Sequence, residues 1–316
     1  MHVDRKRGIM TRPLKVGVFI NLAEGMMDGE TPRWDNIREM ATVAEDVGFD
    51  SVWVPDHLLF KMEEDRPEGF WEAMSTLAGL AAVTNRVELG SAVNCVSFRN
   101  PALYAKMADT IDEISGGRFV VGLGAGYHDP EYEAYGLPTD YRYSRFEEAF
   151  TIIRSLLREG KVDFEGAYHS ARECELRPRG PRPNGPRIIL GTLGPKMLRL
   201  AAEHADEWNG WLPTRGNEPE NVEPMRELVD AACAEAGRDP ATLARSIGVL
   251  MSPTGRSKPH VSRLQPALTG TPEELADYLR DFAARGLDHV QIFVYPNTAA
   301  AIEAFGETLE LLDAGG

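Results

Sequence analysis

RVELGSAVNCVSFRNPALYAKMADTIDEISGGRFVVGLGAGYHDPEYEAY, residues 86–135, runs strand, loop, helix, strand and glycine-rich loop in that order. Val87–Val93 and Phe119–Leu123 carry the short apolar runs of buried strands. Between them Asn100 is placed to cap a helix over Asn100–Ile114, Pro101 fits its first position, and Leu103, Met107, Ile111 and Ile114 form its expected buried stripe. Each strand ends in small residues followed by polar or aromatic ones. In parallel α/β proteins, ligands bind at the C-terminal ends of the strands. Two neighbouring strand ends therefore offer bare backbone to a ligand with one flat part and one charged part, which points to a nucleotide-like redox cofactor.

The same alternation continues on both sides. Before the stretch come strand Lys15–Asn21, helix Trp34–Val47 (Ile37, Met40, Ala41 and Ala44 on one face, Gly48 just past its end), strand Ser51–Pro55 and helix Phe70–Val83. After it come helix Ser144–Arg158 and a Gly/Pro/Arg-rich interruption, Glu159–Pro186, with a short hairpin expected at Val162–Glu165 and Tyr168–Ser170. Then follow strand Arg187–Leu190, helix Pro195–His204, strand Glu207–Trp211, helix Val222–Ala236 and strand Ser246–Met251. A loop, Ser252–Gly270, precedes helix Glu273–Ala284, for which Thr271, Pro272 and Glu274 form a capping box. Strand His289–Tyr295 and helix Ala299–Leu312 close the chain. Eight strand–helix units in series imply a closed (β/α)8 TIM barrel with insertions after the fourth helix and the seventh strand, and an open doubly wound sheet is disfavoured.

A chain of 316 residues is an ordinary length for one such barrel. Residues 14–316 are expected to form a single domain behind a disordered extension, residues 1–13, with Met10 an alternative start. The formal net charge of −15 argues against nucleic-acid and anionic-membrane partners, so any anionic ligand must be held by local donors. Cys95, Cys174 and Cys233 lack metal-ligand spacing, so no metal is expected, and a reducing, cytoplasmic location fits. No apolar run reaches a membrane span, and the N-terminus lacks the apolar core of a secretory signal.

Three segments carry a family resemblance: GFDSVWVPDH (48–57), ELGSAVNCVSFRNPALYAKMADTIDEISGGRFVVGLGAGYHDPEYEAYG (88–136) and PRIILGTLGPKMLRLAAEHADEWNG (186–210). With them the chain resembles the luciferase-like monooxygenase superfamily, and in particular its deazaflavin (coenzyme F420)-dependent branch, from Leu14 to about Leu312. The resemblance implies an oxidoreductase that moves a hydride between coenzyme F420 and a small organic substrate. An FMN-dependent monooxygenase using reduced flavin and oxygen is the principal alternative, and a non-catalytic flavin-binding barrel the third. By position, Ala92–Val93 matches the family's bulge, where a non-prolyl cis peptide backs the tricyclic ring, with Asn94 beside it. Relatives commonly pair through barrel helices, which makes a homodimer an expectation.

The residues themselves suggest roles beside this. Gly124, Ala125 and Gly126 end the fourth strand, where backbone N–H groups can turn to a ligand. Gly191, Thr192, Leu193 and Gly194 lead into a helix starting at Pro195, an anion site for which Lys196 adds charge and which the resemblance assigns to the cofactor's phosphate. His57 matches the family's active-site histidine and can hold a proton near neutral pH. Asp56 is expected to fix its tautomer or to cap the loop, and Asp56 and Tyr127 are also expected to touch the cofactor. Tyr127 and His128 are expected to face the same cleft and are candidate proton donors. In the branch's sugar-phosphate dehydrogenases a glutamate stands where this chain has Tyr127, and a tryptophan stands where it has Lys61, so sugar-phosphate oxidation is disfavoured. Arg99 is expected either to reach a phosphate or to be a surface charge. Asn21 and Glu24 are expected at the substrate pocket. Trp208 and Trp211 are expected to share one face of their strand in the core. The basic loop Ser252–Gly270, with Arg256, Lys258, His260 and Arg263, is read as a mobile lid or a solvated loop.

Overall fold

Eight parallel strands pair in chain order and the last pairs with the first: β1 (Lys15–Phe19), β2 (Ser51–Val54), β3 (Glu88–Ser91), β4 (Phe119–Gly124), β5 (Arg187–Gly191), β6 (Glu207–Trp211), β7 (Ala244–Ser252) and β8 (His289–Val294). The expected (β/α)8 barrel is therefore observed. The structure is a computed structural model and describes residues 12–61, 67–258 and 264–315. Most of the expected N-terminal extension, together with His260 and Arg263, lies outside the described residues.

The period of two along each strand divides the side chains between two layers. Val16, Val18, Val52, Leu89, Val121, Ile188, Ile247 and Ile292 point outward into one core shared with the helices. Phe19, Trp53, Val120, Ile189, Leu250 and Phe293 point inward and pack with Ala92 and Trp211. This rule corrects the tryptophan pair. Three residues apart in a strand means opposite faces, so Trp208 is buried in the outer core while Trp211 faces inward. The inner end remote from the strand C-termini is polar: Ser51 Oγ accepts from Trp53 Nε1 (2.7 Å) and lies 2.8 Å from His289 Nε2, and His289 Nδ1 lies 3.9 Å from Glu207 Oε1.

The outer ring comprises α1 (Trp34–Val47), α2 (Ala73–Val83), α3 (Pro101–Ser115), a short α4 (Asp129–Ala134), α5 (Arg142–Glu159), α6 (Pro195–His204), α7 (Glu223–Glu235), α8 (Pro272–Ala284), α9 (Ala299–Ala304) and α10 (Gly306–Ala314). Helix α1 buries Ile37, Met40, Ala41 and Ala44 as expected and ends on Gly48 at φ 106°. Asn100 caps α3 and Thr271–Glu274 makes the capping box of α8. Helix α3 corrects its expected stripe: Tyr104, Ala105, Ala108, Ile111, Asp112 and Ser115 are buried, while Leu103 and Ile114 are exposed. Asp112 is buried because Arg182 lies against it, with Nε 3.0 Å from Oδ2. The insertion after α5 is a hairpin, Lys161–Glu165 with Ser170–Glu175, its second strand later than expected. The one after β7 sends Leu268–Thr269 back beside the end of β7. A further hairpin, Leu59–Phe60 with Glu68–Gly69, delays the start of α2 to Ala73. The single last helix expected over Ala299–Leu312 is two, α9 and α10. Among the described residues no helix is long and apolar enough to cross a membrane.

Candidate functional site

The strand C-termini open into a cleft of about 1100 Å³. One wall is the bulge after β3. Gly90 pairs with Val120, and Asn94 pairs with Leu123, so four steps on one strand oppose three on the other. The Ala92–Val93 peptide inside this bulge is cis, as the resemblance implied. The Val93 side chain enters a hole lined by glycines. A Cβ on Gly124 would stand 2.6 Å from Val93 Cγ2, and one on Gly191 would stand 2.8 Å from Val93 Cγ1. These glycines thus make room for the wall itself, and not solely for a ligand. Gly126 (φ 75°) is similar, because its missing Cβ faces Tyr132 Oη and Cys95 Sγ. Ala92, Val93, Asn94, Gly124, Ala125 and Gly126 all line the cleft. Asn94 is fully buried, and its Oδ1 accepts from Tyr104 Oη at 2.8 Å while its Nδ2 has no partner. A buried amide donor without a partner costs about 1–3 kcal/mol, so a bound acceptor would relieve it.

The second feature is the loop Gly191, Thr192, Leu193 and Gly194, every residue of which lines the cleft. Gly194 N donates to Thr192 Oγ1 (3.2 Å) and is the N-cap residue of α6. The hydroxyl proton of Thr192 and the first amides of α6 remain to meet an anion. Lys196 does not join them: its Nζ stands over the Tyr143 ring, 5.1 Å from the centroid. Arg215, which sequence reasoning missed, lines the cleft from the loop after β6, and among the described residues it is the one lysine or arginine to do so. The signal for it was a basic residue just beyond a strand C-terminus.

The third feature surrounds His57. Its Nδ1 lies 3.0 Å from Glu131 Oε1, and Glu131 Oε2 accepts from Leu58 N at 3.0 Å. Glu131 is buried and was also missed; Asp129–Pro130, a helix-opening pair, was the signal that would have put it in the first turn of α4. His57 Nε2 lies 3.5 Å from Tyr127 Oη, and the ring sits between Phe60 and Phe70, with both centroids at 5.3 Å. Tyr127 is exposed and lines the cleft with His57. His128 does not line it: the ring stacks on Phe60 (4.0 Å between centroids) and Nε2 accepts from Lys61 N at 3.0 Å.

Asp56 does not touch His57. Its two oxygens take Arg99 Nη1 (2.7 Å) and Nη2 (2.8 Å), and Oδ2 also accepts from Cys95 N (2.9 Å). Arg99 pairs with Glu72 as well. Both expectations for Arg99 are thus replaced: it is a buried brace, and its carboxylate partners push its pKa further up against the opposing effect of burial. Burial pushes the Cys95 thiol up to about 12, so it stays a neutral thiol beside Tyr132 Oη at 3.0 Å. Asn21 lines the cleft as expected, whereas Glu24 accepts from Gly69 N (2.9 Å) and does not line it. In the loop after β7, Arg256 pairs with Asp28 at 2.8 Å and so ties that loop to the one after β1. No cluster of metal-ligating side chains is found among the described residues.

Known proteins share this architecture. A family model described as luciferase-like monooxygenase matches residues 14–258. The pyrimidine monooxygenase RutA of Cronobacter sakazakii is 36% identical over 179 residues, 54% of this chain and 52% of that protein. The 5,10-methylenetetrahydromethanopterin reductase of Archaeoglobus fulgidus is 36% identical over 196 residues, 62% of this chain and 54% of that protein. The chain thus spans about half the length of these curated relatives. The solved structure of an F420-dependent secondary alcohol dehydrogenase in complex with an F420–acetone adduct superposes with a TM-score of 0.77 at 20% identity, covering 95% of this chain and 99% of that one. A riboflavin lyase, RcaE, with modified FMN and riboflavin does so with a TM-score of 0.77 at 16% identity, covering 96% and 92%. At such identities the two solved structures establish the fold alone.

Proposed function

The chain belongs to the luciferase-like monooxygenase family, and from that premise we propose that it is a coenzyme F420-dependent oxidoreductase acting on a small organic substrate. The observation that carries this reading is His57, a ring nitrogen facing a ligand-sized cleft with a buried carboxylate behind it. Converting a carbinol to a carbonyl releases a hydride and a proton; a bound deazaflavin would supply the hydride acceptor, and His57 Nε2, at the cleft, would take the proton. Tyr127 Oη stands where it can hand that proton to solvent.

The chain's residues fit a flat ring on a phosphorylated tail. Ala92 and Val93 would back the ring, and the unpartnered Asn94 Nδ2 would offer it a hydrogen-bond donor. Ala125 and Gly126, which line the same cleft, would border it. The Gly191–Gly194 loop, the Thr192 hydroxyl and the start of α6 would hold the phosphate, and Arg215, lining the same cleft, would supply the charge that a protein of net charge −15 does not provide globally. Asp56 acts through Arg99 and the Cys95 amide, holding the bulge in place. His128 supports the Phe60 side of the histidine box.

The likeness to pyrimidine monooxygenase RutA favours a second reading, an FMN-dependent monooxygenase. Titrating the purified protein with F420 and with FMN, followed by ring absorbance and fluorescence, decides between them. One-to-one F420 binding at least tenfold tighter than FMN binding is expected. Tight FMN binding with oxygen consumption on adding reduced FMN would sink the first reading. His57→Ala is expected to keep F420 affinity and to lose about 10²–10⁴-fold in F420-linked turnover on a panel of secondary alcohols and enones.

A further inference from the structure

His57 has two ring nitrogens, and only one can carry the proton in the neutral ring. Which one does so decides whether the nitrogen facing the cleft is a donor or an acceptor. Nδ1 faces Glu131 Oε1 at 3.0 Å, and Nε2 faces the Tyr127 side of the cleft. Glu131 is buried, with a side-chain exposure of 2%. Its second oxygen is already engaged by the Leu58 amide, the residue next to His57. A carboxylate only accepts hydrogen bonds, so the nitrogen it faces must be the donor. The Phe60 and Phe70 rings fill the flanks of the imidazole and hold its plane.

We propose that Glu131 is the positioning residue of the site: it holds His57 as the Nδ1–H tautomer and so presents Nε2 to the cleft as a proton acceptor. One carboxylate fixes the imidazole and its own backbone neighbour at once, so ring rotation and tautomer exchange are blocked by the same group. The role rests on the reading of His57 as the proton-handling group, but the tautomer is a property of the protein without cofactor.

The test uses protein labelled with 15N-histidine, with ring-nitrogen NMR shifts recorded at alkaline pH and His57 assigned by the signals lost in His57→Ala. The expected wild-type result is a protonated-type Nδ1 and an acceptor-type Nε2. In Glu131→Gln the lock is released and an Nε2–H population appears, while Glu131→Asp, which keeps the carboxylate, restores part of the wild-type pattern. A wild-type Nε2–H tautomer overturns the proposal, as does a folded Glu131→Gln protein with unchanged His57 shifts. If Glu131→Gln does not fold, the wild-type spectrum alone decides. Equilibrium titration with F420 separates this from the functional reading: failure to bind F420 removes the F420 reading yet leaves the tautomer result standing. Glu131→Gln is expected to keep F420 affinity within about threefold.

Discussion

Val93 and the glycines around it show how one side chain can set the shape of a wall. Gly124 and Gly191 lie on different strands, and each lacks the Cβ that would meet Val93. Gly124→Ala must move Val93, and overpacking of this kind costs about 1–3 kcal/mol. The expected outcome is F420 binding weakened about tenfold, with Val93→Ala in the same chain recovering part of the loss. Retained affinity in the single variant would show that the wall tolerates the shift. The glycines were legible in the sequence as strand ends, but their partner was not. Contact of Gly191 with Val93 spans nearly a hundred residues and depends on a bulge that no local pattern marks. Likewise Glu131 reaches His57 across 74 residues, and Arg99 reaches Asp56 across 43.

At the level of elements, the link between β2, α2 and the entry to α3 is the Asp56–Arg99–Glu72 cluster. Arg99 lies at the end of the β3 loop, Asp56 just past β2, and Glu72 is the N-cap residue of α2, accepting from Met74 N and Ser75 N. Removing the cation leaves Asp56, which is fully buried, with one backbone donor for its charge. Arg99→Ala is expected to destabilise by about 3–5 kcal/mol, read as a lower denaturation midpoint with an unchanged denaturant slope. A phosphate-binding surface arginine would instead leave the midpoint unmoved and weaken the ligand. The eight barrel strands, their order and most of the helices between them were readable because helix and strand periods are local, and so were the caps at Asn100 and Thr271, whereas the Leu59–Gly69 hairpin and α4 were not. The α3 stripe was misread for a physical reason. Asp109 and Asp112 are buried against the distant insertion, where Gly180 N donates to Asp109 Oδ2 and Arg182 to Asp112, and charge patterning alone argues against such a face.

Across the whole molecule, the barrel interior changes character along its axis. The end remote from the cleft holds His289, Glu207, Ser51, Trp53, Arg187 and Lys15, whereas the cleft end is floored by Phe19, Leu250 and Phe293. Burial, with Arg187 and Lys15 nearby, holds the His289 pKa well below the usual histidine range. The native state therefore refuses a proton that the unfolded chain takes up below about pH 6.5. The contribution of His289 is complete above that pH and is lost as the pH falls towards the folded value. Glu207 works in the opposite sense: burial raises its pKa, so its contribution is lost as the pH rises through the folded value. The Tm of wild type should fall from pH 7 to pH 5 more steeply than that of His289→Gln. Parallel Tm curves would show that His289 carries no pH dependence. The glycine-lined pocket for Val93 has one more consequence, for how such a protein can change over time. A substitution at any one of its positions meets a clash or leaves a void contributed by another strand, so the wall can be altered only by coordinated replacement. Met26 and Leu264 line the cleft from loops and are not the groups that a Cβ on Gly124 or Gly191 would first meet. If the proposed function holds, the interlocked wall would change slowly while loop residues at the mouth would be freer to change, so new substrates could be explored without disturbing the cofactor seat.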